Sequence, residues 1–391
     1  MHLLFATSIV PDGALGSGYE IANAAIIDGL RRAGVRVTVL GFVWPGRSPS
    51  DPENTIVLGE VDVRTNGAPL RRKLAWLRDA MLSGLTFSSV KLRTVGPATV
   101  RRAVEAAGPF DAYVLNSVQF AGAFEGVFRD RPTLFIAHNV EHRSARENAR
   151  TTHSAFQRFL YRREARLLEK LEERLCRKAR FVFTLAEEDR EALGVASPAR
   201  SVALPLVTRA SDPPPPEGRT VEYDAALIGT WTWQPNRIGL EWFLHQVVPH
   251  LPHDFTVRIA GHLPGDVTSS HPGVKFVGRV PDAESFVRGA AVIPLVSRAG
   301  TGVQLKTIET FELGLPSVAT ASSLRGIDHR PENCIVADDP ASFAAALQLA
   351  ASGACRDVDG CDFYWRQRHA LDAGLRRGLQ ALGHISLEVT A

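Results

Sequence analysis

The strongest constraint on this chain is a rhythm of strands and helices that runs, stops at a proline run and starts again. Short apolar stretches rich in β-branched residues lie at 2–6, 35–41, 112–115, 133–136, 181–184 and 202–204, with helical patterns between them that begin at 19–33. Such alternation builds a parallel, doubly wound sheet, because each helix carries the chain back across a sheet face before the next strand starts. The segment 212–220 holds Pro213, Pro214, Pro215 and Pro216 in a row. Consecutive residues without an N–H fit neither helix nor sheet, so the segment reads as a stiff linker. Beyond it, strands recur at 223–228, 255–260, 274–277, 290–294, 317–320 and 334–336. The expected architecture is α/β: two Rossmann-like, doubly wound parallel-sheet domains, 1–207 and 222–361, joined by a linker at 208–221 and facing across a cleft. A final helix in 362–391, carrying Tyr364, Trp365, Leu371, Leu375, Leu379 and Leu382, is expected to pack back on the first domain. With 391 residues the chain is long enough for two cores. Open sheets bind ligands beyond the carboxyl ends of their strands, so the chemistry is sought in those loops.

The most informative loop follows the strand at 290–294 and opens a helix. It reads Gly300-Thr301-Gly302-Val303-Gln304-Leu305-Lys306-Thr307-Ile308-Glu309, and Gly314-Leu315-Pro316 ends the helix. Gly300 and Gly302 let the backbone approach a ligand, and the N–H groups of the first helical turn face an anion. Lys306 and Glu309 are three apart and share a helix face. A cation beside phosphates, with a carboxylate able to accept both ribose hydroxyls, suits a nucleoside diphosphate. The plainer reading is a glycine-bounded helix with a surface Lys and Glu.

Other loops also sit at strand ends. In Ile228-Gly229-Thr230-Trp231-Thr232-Trp233-Gln234-Pro235-Asn236-Arg237, Gly229 allows close approach and Asn236 is the expected N-cap of a helix over 237–248. Arg237 is either an anion ligand or a solvated first-turn residue. Trp231 and Trp233 either pack at the domain interface or stack on a base. Ala137-His138-Asn139-Val140-Glu141-His142 ends a strand of the first domain, and Gly16-Ser17-Gly18 follows the first strand. That glycine loop lacks a third glycine and a following acidic ribose ligand, which argues against a dinucleotide. Gly261-His262 and Gly278-Arg279-Val280-Pro281 are either base-edge turns or ordinary ones.

Taken together, these segments resemble the donor-binding motifs of the GT4-type (group 1) glycosyltransferases, and most closely the exopolysaccharide-type sugar transferases. Residues 300–309 follow their G-x-G-x-x-x-K-x-x-E pattern, 229–236 follow G-x-x-x-W-x-P-N, and 138–141 read HNVE. The resemblance implies the GT-B fold and a nucleotide-sugar donor, UDP- or GDP-linked. It implies Lys306 at the donor pyrophosphate and Glu309 at the ribose, with Gly229, Arg237, Gly300, Thr301, Gly302 and Val303 around the donor. His138 is implied beside the transferred sugar as a positioning or polarising group, not a general base. Gly16, Ser17, Gly18, Asn139 and Glu141 are implied as a donor or acceptor loop, with His142 a further candidate for acceptor contact. Retention of anomeric configuration by front-face attack is also implied. The broader family has a second Glu eight residues before the ribose Glu; Thr301 stands there, so the sugar is left open. Two other readings share the fold: a nucleotide-sugar epimerase, and a catalytically silent nucleotide- or glycan-binding protein.

No Asp-x-Asp pair ends a strand, so no metal and no cofactor is expected, and protein groups must neutralise the leaving diphosphate. The formal charge of +3 and a basic region with few interleaved aromatics speak against nucleic acid as a partner. That region, 143–180, carries twelve Lys or Arg against five Glu and reads as helical. It is either a solvated helix with internal Glu–Arg pairs or a surface for anionic lipid and a lipid-linked acceptor. Arg71-Arg72-Lys73-Leu74-Ala75-Trp76-Leu77-Arg78 adds a second basic and apolar segment. The acceptor is expected to be a glycan or a lipid-linked molecule, in cell-surface polysaccharide biosynthesis. No apolar run reaches the roughly 18–20 residues of a membrane span. The first residues lack the pattern of a secretory signal, and the four cysteines are scattered. A cytoplasmic protein with peripheral contact at the inner membrane face is expected.

Overall fold

The computed structural model describes residues 1–13, 18–65, 67–152, 154–215 and 218–383. Gly16 and Ser17 lie outside the described residues. The chain divides into two compact units, one of Met1–Pro205 with the chain from Ala370 onward, the other of Leu206–His369.

The first unit is built on seven parallel strands: β1 (His2–Ile9), β2 (Arg36–Val43), β3 (Thr55–Glu60), β4 (Ala112–Asn116), β5 (Thr133–Ala137), β6 (Phe181–Thr184) and β7 (Ser201–Ala203). Their order is β3-β2-β1-β4-β5-β6-β7. Its helices are α1 (Gly18–Arg32), α2 (Leu70–Ser83), α3 (Phe87–Val90), α4 (Pro97–Ala107), α5 (Val118–Phe124), α6 (Glu141–Thr151), α7 (Ala155–Lys178) and α8 (Glu187–Ala192). Every residue of β4 and β5 is buried, as it must be where helices cover both faces of a sheet.

The second unit has six parallel strands: β8 (Tyr223–Thr230), β9 (Val257–His262), β10 (Val274–Gly278), β11 (Ala290–Leu295), β12 (Ser317–Ala319) and β13 (Cys334–Val336), in the order β10-β9-β8-β11-β12-β13. Its helices are α9 (Gln234–Trp242), α10 (Ala283–Arg288), α11 (Leu305–Glu312) and α12 (Pro340–Leu349). The last helix, α13 (Gly360–Ala381), contributes to both units. Its Tyr364 is buried in the second, while Leu375 and Leu379 are buried in the first, where Asp372 pairs with Arg32 at 2.7 Å.

In each sheet the strand order reverses once, between β1 and β4 and between β8 and β11. Ligands of doubly wound folds bind beside such reversals. The loops at 228–237 and 297–304 flank the second reversal, and β5, which carries His138 at its end, pairs with β4, one strand from the first.

Two local expectations fail. Asn236 is not a helix cap: α9 starts at Gln234, with Trp233 as N-cap and Pro235 in the first turn. Proline suits that turn because its missing N–H would have no intrahelical partner. Asn236 instead donates from Nδ2 to Thr230 O at 3.2 Å. The basic stretch is a hairpin of two helices, since Ser154 caps α7 by accepting from Gln157 N at 3.3 Å. Of its ion pairs, Arg146 to Glu169 at 2.7 Å is an internal Glu–Arg pair that joins α6 to α7, and Lys178 to Glu125 at 2.6 Å reaches outside the stretch to the end of α5.

Candidate functional site

In the second unit, two glycines bring the loops together. Gly300 has φ +96°, and a Cβ there would lie 3.3 Å from Pro235 Cβ, so the loop before α11 rests on the start of α9. Gly261 has φ +111°, and a Cβ there would collide with Gly229 O, so β8 and β9 end in close contact. Trp231 is seated in that corner. It is 1% exposed and belongs to the unit's core, its N donating to His262 O at 2.9 Å and its Nε1 to Ala260 O at 2.7 Å. A ring buried this way cannot stack on a base; Trp233, 53% exposed, is the free one of the pair.

Lys306 Nζ lies 5.1 Å from the Trp231 ring centroid. Lys306 and Glu309 line one cavity with Ile228, Trp231, Pro294 and Thr310. Among the described residues neither the Lys306 ammonium nor the Glu309 carboxylate has a side-chain hydrogen bond or salt bridge. Burial pulls the Lys306 pKa down to about 8. Burial also pushes that of Glu309 up, with Arg209 opposing and Glu284 reinforcing. A desolvated cation on an aromatic face lacks a counter-anion, and a phosphate supplies one. The N-cap of α11, Gln304, makes no side-chain cap bond, which leaves the first-turn N–H groups suited to the same anion.

Thr301, Gly302 and Val303 are partly buried in this loop. No atom lies within 4 Å of where a Gly302 Cβ would be. Arg237 is held by two carboxylates, Glu241 and Asp266, each at 2.6 Å. To meet an anion it would have to leave one of them. Sequence reasoning missed Glu312, which is fully buried and accepts from Thr208 N at 2.8 Å and from Thr208 Oγ1. Burial raises its pKa to about 7. It pins the chain next to Arg209, which pairs with Glu284 at 2.7 Å.

In the first unit, a polar cluster lies under the ends of β1, β4 and β5. Asn116 Nδ2 donates to Asn23 Oδ1 at 2.7 Å and approaches Thr7 Oγ1 and Tyr19 OH, each at 3.1 Å. Asn116 Oδ1 then faces His138 Nε2 at 2.7 Å. An amide oxygen only accepts, so His138 carries its proton on Nε2 and keeps Nδ1 as an acceptor. Burial lowers its pKa to about 4, and the ring is neutral near pH 7. Such a ring can orient or polarise a hydroxyl but is a poor base.

The rest of the His138 loop is held from behind. Asn139 spans it, donating to Ser144 Oγ at 3.0 Å and accepting from Val140 N at 2.9 Å. Glu172 of α7 accepts from Glu141 N at 2.7 Å and His142 N at 3.3 Å, capping α6 where Val140 cannot. His142 is buried against the same carboxylate at 2.6 Å, so it braces the loop. Glu141 accepts from Gln119 Nε2 at 3.1 Å, and burial, then Glu172, raise its pKa to about 7. Gly18 is the exposed first residue of α1. Thr7, Tyr19, Asn23, Asn116 and Glu172 were not singled out in the sequence. Asn116, a polar residue directly after an apolar strand run, was the one signal on offer.

Residues 17–234 match the family described as glycosyl transferase 4-like domain, and residues 223–352 match glycosyl transferases group 1. No curated protein matches the chain. Among solved structures, sucrose-phosphate synthase from Thermosynechococcus elongatus is 15% identical with a TM-score of 0.61, over 97% of this chain and 96% of that one. TarM is 10% identical with a TM-score of 0.60, over 97% and 98% of the two chains. HepE of Anabaena, solved with UDP-glucose, is 14% identical with a TM-score of 0.58, over 98% and 100%. At these identities the likeness is one of fold.

Proposed function

The chain belongs to the group 1, GT4-like glycosyltransferases of the GT-B fold, and from that premise we propose that it moves a sugar from a nucleoside-diphosphate donor, bound in the second unit, to a glycan or lipid-linked acceptor. The observation that carries this reading is Lys306, a desolvated ammonium on the Trp231 ring with no carboxylate partner among the described residues. Its chemistry asks for a phosphate. HepE is solved with UDP and with UDP-glucose, which makes a UDP-sugar the first donor to test and a GDP-sugar the second.

In this proposal Lys306 and the first turn of α11 neutralise the diphosphate as the bond from C1 to its oxygen breaks, with no metal required. Glu309 accepts from the ribose hydroxyls. Gly300, Thr301, Gly302 and Val303 give the phosphates room, and Arg237 stays with its carboxylates. His138 accepts a hydroxyl of the reacting sugar at Nδ1. The acceptor oxygen bonds to C1 from the face the phosphate leaves, its proton passing to a phosphate oxygen, so configuration is retained.

No helix among the described residues is long and apolar enough to cross a membrane. Leu70 and Leu74 of α2 are exposed beside Arg71, Arg72 and Lys73, which supports peripheral contact with an anionic membrane face. Such contact fits a cytoplasmic enzyme of surface-polysaccharide assembly. The test of the donor site is calorimetric titration of UDP, GDP and their sugars into the wild type and Lys306→Met. Equal affinity in both proteins would sink the assignment.

A further inference from the structure

A groove runs along the α6–α7 seam and is walled on its other side by α2 and Phe87. Leu74, Leu77, Phe87, Leu160, Tyr161 and Leu168 make it mostly apolar, and its volume of about 630 Å³ is in the range of ligand pockets. From Phe156 to Leu168 the α7 wall extends for roughly 18 Å at 1.5 Å per residue.

The two ends differ chemically. The helices are antiparallel, since Glu172 meets the start of α6 and Glu169 meets Arg146. One end therefore holds Glu141, Gln119 and Ser144, three residues on from His138 in the case of Glu141. At the other end of the α7 wall an apolar mouth opens at Phe156, which is 61% exposed, and Leu70 and Leu74 of the α2 wall are 72% and 56% exposed. Beside that mouth, on the same hairpin, Arg146, Arg150, Arg158, Arg162 and Arg166 line a second concavity. Among the described residues only Arg146 of these has a carboxylate partner.

We infer that this groove seats the apolar chain of the acceptor, so that the acceptor is a lipid whose polar head meets Glu141 and Gln119 and whose tail leaves by the mouth toward an anionic bilayer. The inference rests on the transferase reading above and names the acceptor class. A protein partner accounts for an exposed apolar rim but not for a long channel ending on hydrogen-bonding groups. Arginines without carboxylate partners, next to exposed Leu and Phe, complement the phosphates and chains of a membrane surface.

Alkyl β-glucosides below their micelle threshold are suitable probes, with glucose as the chainless control. Titrated into the full chain, octyl, decyl and dodecyl glucoside should bind with affinity rising roughly tenfold per two methylenes. Leu74→Asp with Phe156→Asp, both at exposed positions, should abolish that dependence and leave UDP affinity unchanged. Chain-length-independent binding, or binding indifferent to the double variant, overturns the inference. So does a dimer in solution that the double variant dissociates, which would give the groove to a second copy. Loss of UDP binding by the wild type, with the chain-length series intact, would instead strike the donor reading and leave the groove as a lipid seat.

Discussion

Lys306 stands over Trp231, its Nζ 5.1 Å from the ring centroid, and the indole beneath it is fixed by its bond to Ala260 O. The cation is thus held by a rigid, apolar floor. Replacing Lys306 by Met should keep the fold and weaken UDP binding roughly ten- to hundredfold, the loss of one or two charge-assisted bonds.

The same amine sets a pH dependence. Its pKa of about 8 in the free protein is depressed by burial, and a bound diphosphate favours the charged form. Above about pH 8 binding must therefore take up a proton, and UDP affinity should fall as pH rises through that value. Calorimetry in buffers of different ionisation enthalpy would show the proton uptake; its absence at pH 9 would separate Lys306 from the phosphate.

Trp231→Phe removes the Nε1 donor and part of the ring from a position 1% exposed. The expected cost is about 1–3 kcal/mol in urea unfolding, from the unsatisfied Ala260 carbonyl and the gap left behind.

Asn116 orients His138, and its effect is visible in the ring's titration. The wild-type imidazole should titrate near pH 4, because burial disfavours its charged form. Asn116→Asp places a carboxylate where Oδ1 sits, 2.7 Å from Nε2, which favours the imidazolium and should move the titration upward. NMR of the ring carbons reads both values. Turnover should drop with the change of protonation, while UDP affinity should hold.

Glu172→Gln should act on two neighbours. Glu141, raised to about 7 partly by the Glu172 charge, should titrate lower. The α6 N-terminus should loosen as its cap weakens, seen as faster amide exchange at Glu141 and His142.

Membrane contact is tested by flotation with phosphatidylglycerol-containing vesicles. Reversing Arg71, Arg72 and Lys73 to Glu should cut retention roughly tenfold or more, since each basic residue near such a surface contributes favourably. Unchanged retention would remove α2 from the contact surface.

Much of this protein is open to a reader of its residues. Short unbroken apolar runs and period-3.6 stripes mark the strands and helices of both units, because strands buried on two faces must be continuously apolar and helices must show a stripe. The G-x-G…K-x-x-E spacing places Lys306 and Glu309 on one helix face, a matter of local geometry alone. Helix edges were less legible at Asn236, where a proline in the first turn moved the start of α9 by a few residues.

Convergence was not legible. Glu312 holds Thr208 from 104 residues away, and Asn116 reaches Thr7 of β1, Tyr19 and Asn23 of α1 and His138 after β5, three other segments. The sequence on its own determined the strands, the turns and the residue types at each loop, because these follow from steric and hydrophobic preferences over a few neighbours. Only the tertiary structure decided that Trp231 is a floor and not a stacking plate, that His142 is a brace, and that Lys306 and His138 lose affinity for their protons. Desolvation and partner choice depend on what packs around a group, and distant chain segments supply that packing.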